Sequence, residues 1–182
     1  MSAPPVLRSC GPDETRALGE RLGALLEAGD VVLLSGELGA GKTTFVQGLA
    51  RGLGFGGSVS SKSFVIMGEY LPTGQAGAGG ITLYHADLYR LDDPAQVWEL
   101  GLDEISRDGV LVVEWPERAP GVLPEEHLLI EFAVIDEGSR ELRLEPRGER
   151  AAQILAGLRG AVRQTSAPST RSAESTNIII EH

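Results

Sequence analysis

Four apolar residues, Val31 to Leu34, run into Gly36-Glu37-Leu38-Gly39-Ala40-Gly41-Lys42-Thr43, and this junction constrains the chain more than any other stretch. The apolar run is too short for a helix and includes two β-branched residues, which suits a strand buried on both faces. The eight residues that follow fit G-x-x-x-x-G-K-[ST], a loop whose glycines let backbone N–H groups wrap an anion with no Cβ in the way. Phe45, Val46, Leu49 and Leu53 then recur at helical spacing. The loop therefore opens a helix whose N-terminal partial positive charge adds to the attraction for phosphate. A glycine-rich stretch alone would read as a flexible turn. With Lys42, the pair Thr43 and Thr44, a strand before and an amphipathic helix after, it reads as a nucleotide-binding P-loop. Lys42 is expected to reach the β- and γ-phosphates, and the Thr43 hydroxyl to be a magnesium ligand.

Two further stretches deliver acids to the same end of a sheet. Val110 to Val113 is a second wholly apolar strand and ends in Glu114. A carboxylate just past buried strand residues is how P-loop proteins hold the metal and its water shell opposite the P-loop hydroxyl. Ile81 to Asp87 alternates large apolar with smaller or polar groups and brings Asp87 to its C-terminal end. His85 on that strand is expected to be a packed or hydrogen-bonded core residue rather than a catalyst.

Around these elements, Asp13 is a plausible N-cap for a helix with Ala17, Leu18, Leu22, Leu25 and Leu26 inward. Val59 to Tyr70 reads as a hydroxyl-rich loop leading into a strand, and Pro72 to Gly80 as a hairpin tip. A turn at Asp93-Pro94 precedes a helix carrying Val97, Leu100 and Ile105, with Trp98 expected in the core. His127 to Ile135 and Glu141 to Leu144 flank the turn Asp136-Glu137-Gly138-Ser139 as a hairpin. A last helix spans about Glu149 to Arg163. The expected fold is an α/β P-loop three-layer sandwich, its sheet mostly parallel with antiparallel edge strands. Ligands on such sheets sit at the carboxyl ends of the strands, where the P-loop, Asp87 and Glu114 would meet. Residues 1–163 are expected as one domain and 164–182 as a flexible tail, with Ile178 to Ile180 a loose end or an edge open to a partner.

Composition narrows the function classes. At 182 residues the chain can bury a full core. No apolar run is long enough to span a bilayer, and residues 1 to 10 lack a secretory signal pattern. A lone cysteine, Cys10, excludes an internal disulfide, and three scattered histidines give no zinc spacing. A cytosolic compartment is expected. The net charge of −10 works against a broad phosphate-backbone surface, so a role in nucleic-acid chemistry would need another protein to hold the nucleic acid.

Among P-loop classes, regulatory GTPases need N-K-x-D and D-x-x-G. The only asparagine is Asn177, and no aspartate has glycine three residues on. A small-molecule kinase would carry an arginine-rich lid, and Pro72 to Gly80 has no Arg or Lys, although Arg90, Arg107 or Arg118 could be recruited. ABC-type ATPases need a signature motif and a longer chain.

GELGAGKTTF from Gly36 to Phe45, S-x-[ST]-F at Ser61 to Phe64, HADLYRL from His85 to Leu91 and VEWPE from Val113 to Glu117 together resemble the TsaE family, also called YjeE. The likeness runs from about Asp13 to Arg150. It implies ATP and Mg2+ as cofactors and slow, partner-dependent hydrolysis. That hydrolysis supports the TsaB and TsaD pair, which attaches threonylcarbamoyl to adenosine 37 of tRNAs reading ANN codons; tRNA is met only through the complex. By the same resemblance, Gly39, Ala40, Gly41, Lys42, Thr43 and Thr44 wrap the phosphates, and Thr43 and Glu114 hold magnesium. Asp87 orders the attacking water or the metal's outer shell, and Trp115 lies close to the nucleotide. Thr15 lies near the adenine pocket, and Arg140 reaches the nucleotide from the hairpin. Each of the last three has a plain alternative: packing for Trp115, a first-turn helix position for Thr15, a solvated charge for Arg140. The family's S-P-T-F reads Ser61-Lys62-Ser63-Phe64 here, which keeps a hydroxyl and exchanges a proline for a cation. A kinase, or a nucleotide-gated binding module without turnover, remains the alternative to an ATPase.

Overall fold

Burial on both sides is what an all-apolar strand demands, and the strand before the P-loop sits inside the sheet. The computed structural model describes residues 4–57, 67–71, 80–91, 93–165 and 180–181. In chain order the elements are β1 (Val6–Ser9), α1 (Pro12–Gly23), β2 (Val31–Gly36), α2 (Lys42–Gly52), β3 (Met67–Tyr70), β4 (Thr82–Asp87), α3 (Pro94–Glu99), α4 (Leu102–Ser106), β5 (Gly109–Glu114), β6 (His127–Val134), β7 (Arg140–Arg147), α5 (Glu149–Thr165) and β8 (Ile180–Glu181). One mixed sheet has the order β3-β4-β5-β2-β6-β7-β1-β8. Its centre, β4-β5-β2-β6, is parallel. The flanks are antiparallel, with β3 on one side and β7, β1 and β8 on the other. The expected α/β sandwich with a parallel centre and antiparallel edges is present.

The period of two along the strands sorts side chains into two cores. Val32 and Leu34 of β2, Val110 and Val112 of β5, and Leu128 and Ile130 of β6 pack with Leu18 and Leu22 of α1 and Phe45 and Leu49 of α2. On the opposite face Val31, Leu33, Leu111 and Val113 pack with Val97 and Leu102 of α3 and α4. No helix among the described residues is long and apolar enough to cross a membrane.

Four glycines set how closely α1 lies on the P-loop helix. A Cβ on Gly19 would come 2.2 Å from the Phe45 carbonyl oxygen, and one on Gly48 2.0 Å from that of Arg16. Gly23 and Gly52 stand one turn further along in the same relation to Leu49 and Glu20. The two backbones touch, as in small-residue helix pairs.

Several expectations are corrected. The first helix starts at Pro12 with Gly11 as N-cap and no side-chain cap bond, so Asp13 lies in the first turn. There its charge still favours the positive helix end. Trp98 is 72% exposed rather than core, because α3 turns Val97 inward and leaves its neighbour outside. The helix expected to carry Val97 through Ile105 is two short helices parted at Gly101. The last helix reaches Thr165, and Ile180 and Glu181 pair with β1 of the same chain.

Candidate active site

β2 ends at Gly36 and α2 begins at Lys42, so five residues must turn the chain from strand to helix. Gly39 (φ 78°) and Gly41 (φ 104°) make that turn from the left-handed region, where a side chain would be strained. The loop holds its own shape through the Ala40 N–H donating to the Glu37 carbonyl at 3.1 Å. Among the described residues, the N–H groups of Gly39, Gly41, Lys42, Thr43 and Thr44 have no backbone carbonyl partner. Five unclaimed donors at a helix start form an anion cradle.

Lys42 lies buried beneath this loop. Its Nζ donates to the carbonyls of Gly36 at 2.5 Å and Glu37 at 2.9 Å. The same ammonium sits 3.9 Å from the centroid of the Trp115 ring, a cation–π contact. Burial pulls the Lys42 ammonium below the usual lysine range, and the carboxylates of Glu114, Glu117 and Asp87 pull it back up. Trp115 is the one non-glycine residue at positive φ (62°) among the described residues, and its ring packs 4.8 Å from that of Tyr89. The strained backbone turns the indole back over the P-loop lysine.

Glu114 closes β5 and is 3% exposed. The Thr43 hydroxyl donates to its Oε1 at 2.9 Å and lies 3.2 Å from its Oε2. His85 Nε2 lies 2.9 Å from the same Oε1. Parallel register places Asp87 of β4 directly beside Glu114. Asp87 is half-buried and accepts the Tyr89 N–H at 3.1 Å. Lys42, Thr43, Asp87, Glu114 and Trp115, scattered through the sequence, thus share the carboxyl end of the parallel strands.

Arg140 reaches the loop from the hairpin. Its Nε donates to the Ala40 carbonyl at 3.2 Å, and its Nη1 to those of Asp136 and Ser139. The turn beneath it is tied by Asp136, which accepts the N–H groups of Gly138 and Ser139. The Ser139 hydroxyl and these N–H groups hold the Asp136 carboxyl below the ordinary aspartate range. Thr15 is buried. Its hydroxyl bonds the Gly11 carbonyl and the Ser9 hydroxyl, so what it turns toward Gly41 is its methyl group. Ser61 to Phe64 lie outside the described residues. A groove of about 740 Å³, with Leu33 and Leu129 among its lining residues and Glu117 and Glu131 beside them, takes in none of the predicted site residues.

The donor set suits a hard divalent cation bound with phosphate. Among the described residues no three His, Cys, Asp or Glu side chains gather as a metal site of their own. One hydroxyl and one carboxylate beside an anion cradle is the arrangement in which Mg2+ takes one or two protein oxygens and completes its shell with phosphates and water.

Comparison with known proteins falls on this geometry. The family described as threonylcarbamoyl adenosine biosynthesis protein TsaE matches residues 10–142. The chain belongs to the TsaE family. The match takes in the P-loop, Asp87, Glu114, Trp115 and Arg140, and leaves out α5. The tRNA threonylcarbamoyladenosine biosynthesis protein TsaE of Bacillus subtilis is 40% identical over 144 residues, covering 79% of this chain and 86% of that protein. The protein of the same description from Streptomyces coelicolor is 44% identical over 151 residues, 78% of this chain and 99% of its own. A crystal structure of Bacillus subtilis YdiB superposes with a TM-score of 0.71 at 33% identity, covering 89% of this chain and 99% of that one.

Proposed function

We propose that this TsaE-family chain binds Mg2+–ATP at the P-loop and hydrolyses it slowly in support of threonylcarbamoylation of adenosine 37 in tRNAs reading ANN codons. The observation that carries the reading is the 2.9 Å contact between the Thr43 hydroxyl and Glu114, set at the mouth of a loop in which five N–H groups have no backbone carbonyl partner among the described residues. The N–H groups of residues 39–44 would hold phosphate oxygens. Lys42 would exchange its contacts with Gly36 and Glu37 for the β- and γ-phosphates. Thr43 and Glu114 would hold the ion, whose contribution is to neutralise charge on the transferred group. Asp87, beside Glu114 in the register, would orient water.

Slow intrinsic turnover fits the engagement of Arg140. Arg140, which approaches the loop, is engaged by three carbonyls and braces the turn, so in this reading it does not serve as the cis arginine that fast P-loop hydrolases use. Stimulation would come from the TsaB and TsaD pair, which in this reading also holds the tRNA. The relatives' names, all of tRNA threonylcarbamoyladenosine biosynthesis, support the role in that tRNA modification.

Following γ-labelled ATP with and without TsaB, TsaD and tRNA tests the proposal. Release of label to water, stimulated by the partners, is the expected result. Label moving to a small acceptor would make the protein a kinase, and intact bound ATP throughout would make it a binding module.

A further inference from the structure

The imidazole of His85 is buried, and the nucleotide site just described makes no direct use of it. Along β4, Leu83, His85 and Asp87 share the sheet face that Val110, Val112 and Glu114 present on β5, the face covered by α2. His85 pairs in register with Val112 and Asp87 with Glu114, so His85 approaches Glu114 from two residues deeper in the sheet. A carboxylate oxygen only accepts, so in the 2.9 Å contact Nε2 carries the proton and donates to Glu114 Oε1. Thr43 binds the same oxygen from the P-loop side.

We infer that His85 is a positioning residue: its Nε2–H fixes the orientation of the Glu114 carboxylate and thereby sets the affinity of the site for a divalent cation. The inference rests on the Mg2+–nucleotide reading above. A Thr43 hydroxyl that coordinates an ion through an oxygen lone pair keeps its O–H for Glu114, but its own place is then set by the ion. Among the described residues, His85 is then the one side-chain partner of that carboxylate whose place does not depend on the ion. A buried carboxylate held by that fixed anchor keeps its direction, and one without it is free to shift together with the ion and its threonine. Partners of this kind behind a ligand govern metal affinity as well as geometry.

Three variants separate positioning from simple core filling. His85→Phe fills the volume and removes the donor. His85→Gln carries an amide N–H near the place of Nε2, and His85→Asn carries one near the place of Nδ1, too short to reach Glu114. The readout is calorimetric binding of ADP as Mg2+ is varied, with ADP affinity in EDTA as control. His85→Phe and His85→Asn are expected to raise the Mg2+ concentration for half-saturation by about tenfold, the usual scale for loss of such a partner. His85→Gln should stay near wild type, and all three should keep the metal-free ADP affinity. If His85→Phe does not fold, the Gln and Asn pair, both polar amides, carries the comparison. An unchanged Mg2+ requirement in the Phe and Asn variants, or equal loss in Gln and Asn, overturns the inference. Failure of the wild type to bind ADP with any Mg2+ dependence would instead overturn the function proposed above.

Discussion

Lys42 carries opposing demands at one atom. Its ammonium is buried among two loop carbonyls and an indole, and three acidic groups offset only part of the desolvation. Because burial lowers its folded-state pKa, the folded protein gives up this proton before the unfolded chain does at 10.5. Between those two values the unfolded state binds more protons, so stability rises with pH, and the burial penalty is fully present below the window. The stability difference between wild type and Lys42→Met, from urea denaturation, should therefore shift in favour of wild type as pH climbs toward 10.5. A flat difference would mean that the ammonium is not desolvated. For function, Lys42→Ala should abolish measurable ATP binding, and fluorescence or calorimetric titration checks it. Lys42, Thr43 and Glu114 were legible in the sequence because each stands beside its own signal: the first two inside one eight-residue motif, Glu114 at the jump in polarity after four apolar residues. The His85–Glu114 contact was not, because it joins residues 29 apart and requires the order of β4 and β5. Trp98 was misplaced because one large apolar residue on a six-residue helix gives no period from which to read its face.

At the scale of elements, the P-loop helix packs its apolar side chains on the sheet and meets α1 through the contact of two backbones. Gly19 and Gly23 of α1 meet Gly48 and Gly52 of α2, with would-be Cβ positions 2.0 to 2.2 Å from carbonyl oxygens. Backbone cannot yield as a flexible side chain does, so overpacking here forces the helices apart. Gly48→Ala should destabilise the protein by about 2 to 3 kcal/mol despite the better helix propensity of alanine. The urea midpoint measures this, and a change within about 0.5 kcal/mol, the range of ordinary surface substitutions, would mean that the two helices separate at little cost. The sequence showed the leucines of α1 as its inner face, and Leu18 and Leu22 are there. The glycine edge beside them was not legible, since a glycine in a helix reads as a weakness until the partner helix is known. The hairpin of β6 and β7 was legible for the opposite reason: its turn chemistry is local, and Asp136 closes it on Gly138 and Ser139.

Across the whole molecule, the parallel centre and the antiparallel β6–β7 edge followed from the sequence, whereas the strands beyond β7 did not. β1 pairs with β7, more than 130 residues away, through four residues that carry no turn signal. Beside that flank of the sheet, α5 is tied to the start of β2 by an ion pair. Arg150 of α5 donates to both oxygens of Asp30, at 2.9 and 2.8 Å, and to the Leu25 carbonyl. Asp30 is buried immediately before β2, and its pairing holds the Arg150 guanidinium above its ordinary pKa. Arg150→Ala leaves a buried carboxylate short of a partner and should cost about 2 kcal/mol of stability, the scale for a bond to a charged group. ATP affinity should be unchanged, because the pair lies at the opposite end of β2 from the P-loop. Weakened ATP binding in that variant, measured below its melting transition, would show the two ends of the strand to be coupled. The central claim is that strand order brings a P-loop hydroxyl and a strand-end carboxylate to one divalent cation. The most direct measurement is a crystal structure with a non-hydrolysable ATP analogue and Mn2+, read from the anomalous signal of the metal. The account predicts one peak beside Thr43 Oγ1 and the Glu114 carboxylate, with phosphate oxygens against the N–H groups of residues 39–44; a peak elsewhere, or a nucleotide bound away from the P-loop, would contradict it.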